Sequence, residues 1–193
     1  MTTQLVMCPT STRFIRRTIP FQIVTSNPSE SEYNGPYNKL LYTLFPADSD
    51  FVVVPLNLLH PRNPADFIST FEVLLLKIPV LVLQLKPPSH LNVPSKHQAA
   101  DEQIRSHMGD LVEFCPLRTL YAVSALETKL CFYNLDPRDE NAEIVPLAIP
   151  RHATRLNDTA PATRWGYDIL EPSREERFRK IVEEIKAGRT VVV

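Results

Sequence analysis

Two neighbouring apolar runs, residues 66–76 and 80–86, carry the polar side chains of this sequence that are best placed for chemistry. Both runs are rich in strand-forming residues, which predicts a hairpin with its turn between them. Because side chains alternate along a strand, the acids of the first run share one face, and Gln84 and Lys86 share one face of the second. An acid on one strand and an x-Lys pair on the next indicate a metal-dependent phosphodiesterase site.

Asp66, Gln84 and Lys86 are the side chains of the two runs that could take part in such chemistry. Phosphodiester hydrolysis is accelerated by a metal ion that neutralises a non-bridging oxygen and generates a nucleophilic water. Mg²⁺ or Mn²⁺ is the expected cofactor, because these cations prefer oxygen ligands. Gln84 offers an oxygen without a negative charge, so the sequence predicts weaker metal binding than two carboxylates would give.

Glu72 is a further candidate metal ligand on the first strand. It shares the face of Asp66, and a turn centred near residue 77 or 78 would place it almost opposite Gln84. The two acids are six residues apart in the chain, roughly 20 Å along an ideal strand. One ion therefore cannot bind both acids unless the strand bulges.

Helices and strands on both sides of the hairpin would position these residues. Pro36 suits the first turn of the first helix, and Ser95 can cap the second. Before the hairpin, the predicted elements are a helix at 36–45, a strand at 51–56 and a loop at 57–65. After it, they are a helix at 96–114 and strands at 119–123 and 128–133. A hairpin-containing mixed sheet flanked by helices is an α/β fold.

The rest of the chain is expected to wrap around the same domain. Residues 136–170 are rich in Pro, Asp and Asn and show little periodicity, which predicts an extended segment. An extra C-terminal helix is predicted at 172–187, with a capping box that begins at Ser173 and with Gly188 as its C-terminal cap. Residues 36–193 are thus predicted to form a single domain, preceded by an N-terminal arm of residues 1–35.

The order of these elements and the hairpin residues resemble the PD-(D/E)xK nuclease superfamily, whose restriction-endonuclease-like core runs αβββαβ. The resemblance covers roughly residues 37–133. It implies that Asp66 is the first metal ligand, that Gln84 occupies the second acid position, and that Lys86 positions or activates water. It also implies metal-dependent cleavage of DNA or RNA. Because Gln84 is uncharged, the alternative is an inactive relative that serves as an intracellular binding or scaffold module.

Four segments also resemble a protein family of mushroom-forming fungi. They read YNKLLY, LKPP, TKLCFY and TAPATRW, at 37–42, 85–88, 128–133 and 159–165. This second resemblance spans most of the chain and implies no activity. Trp165 is interpreted as a core anchor of the final segment.

Additional polar residues are candidates for the surroundings of the site. Gln98 and Gln103 lie on the predicted helix that follows the hairpin, and Glu30 and Glu32 precede the first helix. A nucleic-acid partner would require a basic rim. The sequence offers for this rim Lys77, Lys96, Arg105, Arg118 and Lys129.

The composition limits the other classes of function. A formal net charge of -1 gives no overall attraction to nucleic acid or to an anionic membrane. No segment approaches the roughly 18 apolar residues of a membrane span, and with 4 glycines the chain has no glycine-rich phosphate-binding loop. The 3 cysteines are not paired as CxxC, which indicates a reduced, intracellular protein. Residues 1–29 contain arginines and no acid, a loose similarity to an organelle transit peptide, although two prolines interrupt any amphipathic helix.

Overall fold

The computed structural model describes residues 30–60 and 63–189, with the side chains of all of these except 30–31, 57–60, 63–68 and 172–175. In chain order the elements are α1 (Glu30–Leu44), β1 (Phe51–His60), β2 (Asn63–Leu75), β3 (Ile78–Lys86), α2 (Pro94–Leu111), β4 (Leu120–Leu126), β5 (Lys129–Leu135), β6 (Tyr167–Asp168) and α3 (Pro172–Arg189). Short 3-10 turns lie at Pro88–Asn92, Val112–Phe114 and Ala162–Trp165. The predicted α/β class is confirmed. Within the described part of the chain, the helices are too short or too polar to span a membrane.

The six strands lie in the mixed sheet in their chain order, from β1 to β6. Neighbouring strands are antiparallel except β3 and β4, which are parallel. A parallel pair requires a crossover connection, and α2 supplies it. The predicted pairing of the hairpin strands is confirmed, since β2 and β3 pair antiparallel across a turn at Leu76 and Lys77.

Both faces of the sheet are covered, as the near-continuous apolar runs predict. On one face, α1 and α3 pack against β-strand residues such as Val73 and Leu83. On the other face, Val82 and Ala122 pack against α2. Each helix buries a stripe of apolar residues: Tyr37, Leu40, Leu41 and Leu44 of α1, Ala100, Ile104 and Met108 of α2, and Phe178, Ile181, Val182 and Ile185 of α3.

The predicted loop at 57–65 is wrong, because β1 continues to His60 and β2 already begins at Asn63. Backbone pairing explains the difference. Asn57, Leu58 and Leu59 each have a ladder partner on β2, and such tertiary pairing overrides weak local propensity.

Three predicted helix ends also differ from the structure. The first helix begins at Glu30 rather than at Pro36, which lies inside α1. Ser95 does not cap α2, because Pro94 occupies the first helical position and Val93 is the capping residue. Gly188 lies within α3, where no positive φ requires a glycine. The N-terminal arm before residue 30 and the side chain of Ser173 lie outside the described residues.

The β2–β3 turn offers a test of backbone strain. Leu76 and Lys77 have φ values of 51° and 70°, and each such non-glycine residue costs about 1–2 kcal/mol. Two-residue hairpin turns of this kind favour Asn-Gly. We therefore expect Leu76→Asn with Lys77→Gly to raise the free energy of unfolding by roughly 1–2 kcal/mol in urea titrations. Leu76→Val is the control and should lower it, because β-branched residues disfavour positive φ. An unchanged stability for both variants would contradict this interpretation.

Candidate functional site

A row of buried polar side chains crosses the sheet beneath α2. Thr70 of β2 pairs with Gln84 of β3, Gln84 with Ser124 of β4, and Ser124 with Cys131 of β5. Ser124 Oγ accepts a hydrogen bond from Trp165 Nε1 at 3.2 Å. By contrast, Gln84 Oε1 and Thr70 Oγ1 are buried without a hydrogen-bond partner. Buried polar atoms are normally paired, so these two oxygens call for an explanation.

Lys86 lies on the same strand face as Gln84, two residues further along β3. Its side chain is nearly covered, with 8% of the residue exposed. Lys86 Nζ donates a hydrogen bond to Gln103 Oε1 of α2 at 2.5 Å. Gln103 therefore faces this site, whereas Gln98 donates to the exposed carboxylate of Glu102.

Glu72 also lies beneath α2, where its Oε1 is 3.1 Å from His107 Nε2. The structure pairs Thr70 with Gln84 and Glu72 with Val82, so the prediction that Glu72 is almost opposite Gln84 is wrong by two residues. The reason is the tight turn, whose centre lies between residues 76 and 77. Glu72 remains on the same face as Gln84, as its diagonal neighbour. Such neighbours are about 7–8 Å apart, within reach of long side chains.

Asp66 lies in β2, but its side chain is outside the described residues. Its position along the strand follows from the backbone. The ladder between β2 and β3 runs only as far as the Thr70–Gln84 pair, and Asp66 is four residues beyond it, about 13 Å along the strand. In this register Glu72 lies closer to Gln84 than Asp66 does. The role of Asp66 as a metal ligand stays a prediction. Of the other candidate acids, Glu32 is exposed, and the side chain of Glu30 is not described.

The predicted basic rim is largely dispersed by the fold. Lys129 Nζ is paired with Asp168 Oδ2 at 3.0 Å. Lys77 lies in the hairpin turn, and Arg118 precedes β4, so both are at the opposite end of their strands from Lys86. Arg105 belongs to a separate ion cluster, and Lys96 is exposed near the start of α2.

That ion cluster is centred on Asp101 of α2, which is 5% exposed. Its carboxylate accepts hydrogen bonds from Arg105 Nε at 2.7 Å, from the Tyr133 hydroxyl at 2.9 Å and from Arg164. The two arginines also donate to backbone carbonyls of residues 144, 146 and 147. Burial, together with nearby Cys131 and Asp101, raises the pKa of Tyr133 well above its usual value, so the hydroxyl stays a neutral donor. The cluster therefore fastens the segment 144–147 to α2.

The side-chain oxygen atoms beneath α2 are of the kind that a hard divalent cation binds, but together they carry little negative charge. Gln84 Oε1 is free to accept a ligand, and Glu72 supplies one carboxylate. Among the residues whose side chains are described, no three His, Cys, Asp or Glu side chains converge. A metal at this position would thus be held by Glu72 and Gln84, and its binding would be weak unless another acid contributes.

Comparisons of the chain with protein-family models, with curated proteins and with solved structures found no match.

Several residues of the polar row beneath α2 and of the Asp101 ion cluster were not identified from the sequence. His107 could have been found, because it follows Gln103 by four residues and therefore shares its helix face. Thr70 and Ser124 carry no such signal, since only the strand register places them beside Gln84. Arg164 is 63 residues from Asp101 in the chain, and no local pattern connects them.

Proposed function

We propose that this chain is a nuclease-like protein of the PD-(D/E)xK type, which hydrolyses DNA or RNA slowly with Mg²⁺ or Mn²⁺. The observation that carries the proposal is the unpartnered Gln84 Oε1, on the strand face that also holds Lys86 and Glu72. The order α1-β1-β2-β3-α2-β4 also agrees with the αβββαβ core expected of the superfamily. This order supports a restriction-endonuclease-like fold.

Each residue beneath α2 has a chemical role in this proposal. Glu72 and Gln84 would hold the metal through oxygen atoms, with Asp66 as a further predicted ligand. When bound, the metal would neutralise a phosphoryl oxygen and activate water. Lys86 would place a positive charge beside the phosphate, and Gln103 would hold Lys86 in position through the hydrogen bond at 2.5 Å. His107 would orient the Glu72 carboxylate.

The alternative is an inactive relative that acts as a binding or scaffold module. The burial of the predicted site favours it, because Gln84 and Lys86 are 1% and 8% exposed beneath α2. A phosphodiester must reach Lys86 for hydrolysis, which such packing opposes. The two functions are separated by an activity measurement.

We expect the purified chain to nick plasmid DNA or cleave RNA in the presence of Mn²⁺ or Mg²⁺ and not in excess chelator. Lys86→Ala and Glu72→Gln should each slow cleavage by about 100-fold or more, as is usual when a group that stabilises transition-state charge is lost. Lys39→Ala, which alters an exposed lysine of α1, is the matched control and should cleave like the wild type. Absence of metal-dependent cleavage would leave the binding module as the function of the chain, whereas metal-independent cleavage or full activity of Lys86→Ala would reject the proposed site.

A further inference from the structure

We infer that a groove between the start of β4 and α3 binds a small amphipathic organic anion, whose head group is held by Arg118 and Arg138. The groove encloses about 560 Å³, which lies in the range of small-molecule sites. Both arginines line it, together with apolar residues that precede β4 and others near the end of α3. Apolar walls with a few polar groups are typical of such sites.

The inner wall of the groove is apolar. Leu117 and Ile185 are 4% and 0% exposed, so they form a buried surface against which an apolar body can pack. Ala187 and Gly188 of α3 are small and keep the groove open. A Cβ atom at Gly188 would lie 3.2 Å from Leu117 Cδ2, so any larger side chain there would crowd this wall.

The charged groups of the groove favour an anion. Arg118 and Arg138 are exposed, and neither forms an ion pair with another described residue. Glu184 is the one carboxylate among the described lining residues, and it already accepts a hydrogen bond from the Tyr121 hydroxyl. Burial and the nearby Glu184 raise the pKa of Tyr121 to about 12, so this hydroxyl is uncharged at neutral pH. Two arginines thus line the groove together with one engaged carboxylate, and guanidinium binds carboxylate or phosphate through paired hydrogen bonds.

This groove is separate from the polar row beneath α2. Lys86 pairs with Leu126 at the end of β4, whereas Tyr121 lies five residues earlier on the same strand, about 17 Å away. The inference therefore does not rest on the proposed nuclease activity.

The test uses 8-anilinonaphthalene-1-sulfonate, an aromatic anion whose fluorescence rises on binding, with the full chain. We expect saturable binding at one site, competed by decanoate and by decyl phosphate below their micelle concentrations. Arg118→Ala with Arg138→Ala should weaken binding about tenfold or more, because hydrogen bonds to charged groups are lost. Gly188→Leu should weaken it by filling the groove. Arg151→Ala with Arg155→Ala, on the exposed segment before the last 3-10 turn, is the matched control and should bind like the wild type.

Several outcomes would overturn the inference. One is unchanged binding by the double arginine variant in a chain that thermal unfolding shows to be folded. Another is equal competition by decanol, which would mean that charge plays no part. Competition by inorganic phosphate alone as strong as by decyl phosphate would mean that the arginines bind a bare anion and that the apolar wall is not used. The arginine variants alter exposed side chains, so the test remains valid if Gly188→Leu fails to fold.

Discussion

Gln84→Glu is expected to tighten Mn²⁺ or Mg²⁺ binding at least about tenfold and to raise the rate of DNA or RNA cleavage. The substitution exchanges an uncharged oxygen ligand for a carboxylate, on the strand face that holds Glu72 and beside the cationic Lys86. Loss of even an outer-shell partner of a metal commonly costs ~10–100-fold in affinity, so adding a charged ligand should have an effect of that size or larger. Calorimetry with the metal alone and plasmid nicking measure the two effects.

The control variants of this experiment assign the first acid. In the Gln84→Glu background, Glu72→Ala should remove the gain in affinity if the register determines the ligand set. Asp66→Ala should remove the gain in affinity if the ligands are instead those that the superfamily resemblance implies. If Gln84→Glu merely lowers stability, with no metal bound, the introduced carboxylate is buried without compensation. That result would reject the metal site and favour the scaffold function.

Asp101→Asn is expected to lower the free energy of unfolding by about 3–5 kcal/mol, because removing one partner of a buried ion pair leaves the other charge uncompensated. Asp101 neutralises two cations, Arg105 and Arg164, and the side chains of Asp101 and Arg164 are only 8% and 7% exposed. In a chain of 193 residues, this loss corresponds to a fall in Tm of roughly 6–20 °C. Urea and thermal unfolding provide the measurement.

A neighbouring acid provides the control for Asp101. Glu102 also lies on α2 and pairs with Arg151, but the side chains of this pair are 49% and 71% exposed. Glu102→Gln should change stability little, since exposed ion pairs contribute little.

Asp101→Asn should also speed tryptic cleavage at Arg151, because the cluster fastens the preceding segment to α2. Equal stability of the two variants would show that the Asp101 cluster is not an important anchor of this segment.

Periodicity was sufficient for the parts of the fold that depend on local burial. The three helices and the β2–β3 hairpin were predicted, because each is encoded by apolar residues at the spacing of its element. Trp165 is buried as predicted for a core anchor. Element ends were less accurate where a partner strand decided them, as in the β1–β2 region that was expected to be a loop.

The sequence by itself determined which residue types could do chemistry, and only the tertiary structure decided which of them lie together. Alternation along a strand is a local property, so it placed Gln84 and Lys86 on one face. The neighbours of Gln84 depend on turn length and strand register, and these brought Thr70 and Ser124 beside it and moved Glu72 by two residues. The Asp101 cluster joins α2 to residues more than 30 positions away in the chain, and no local pattern encodes such a contact.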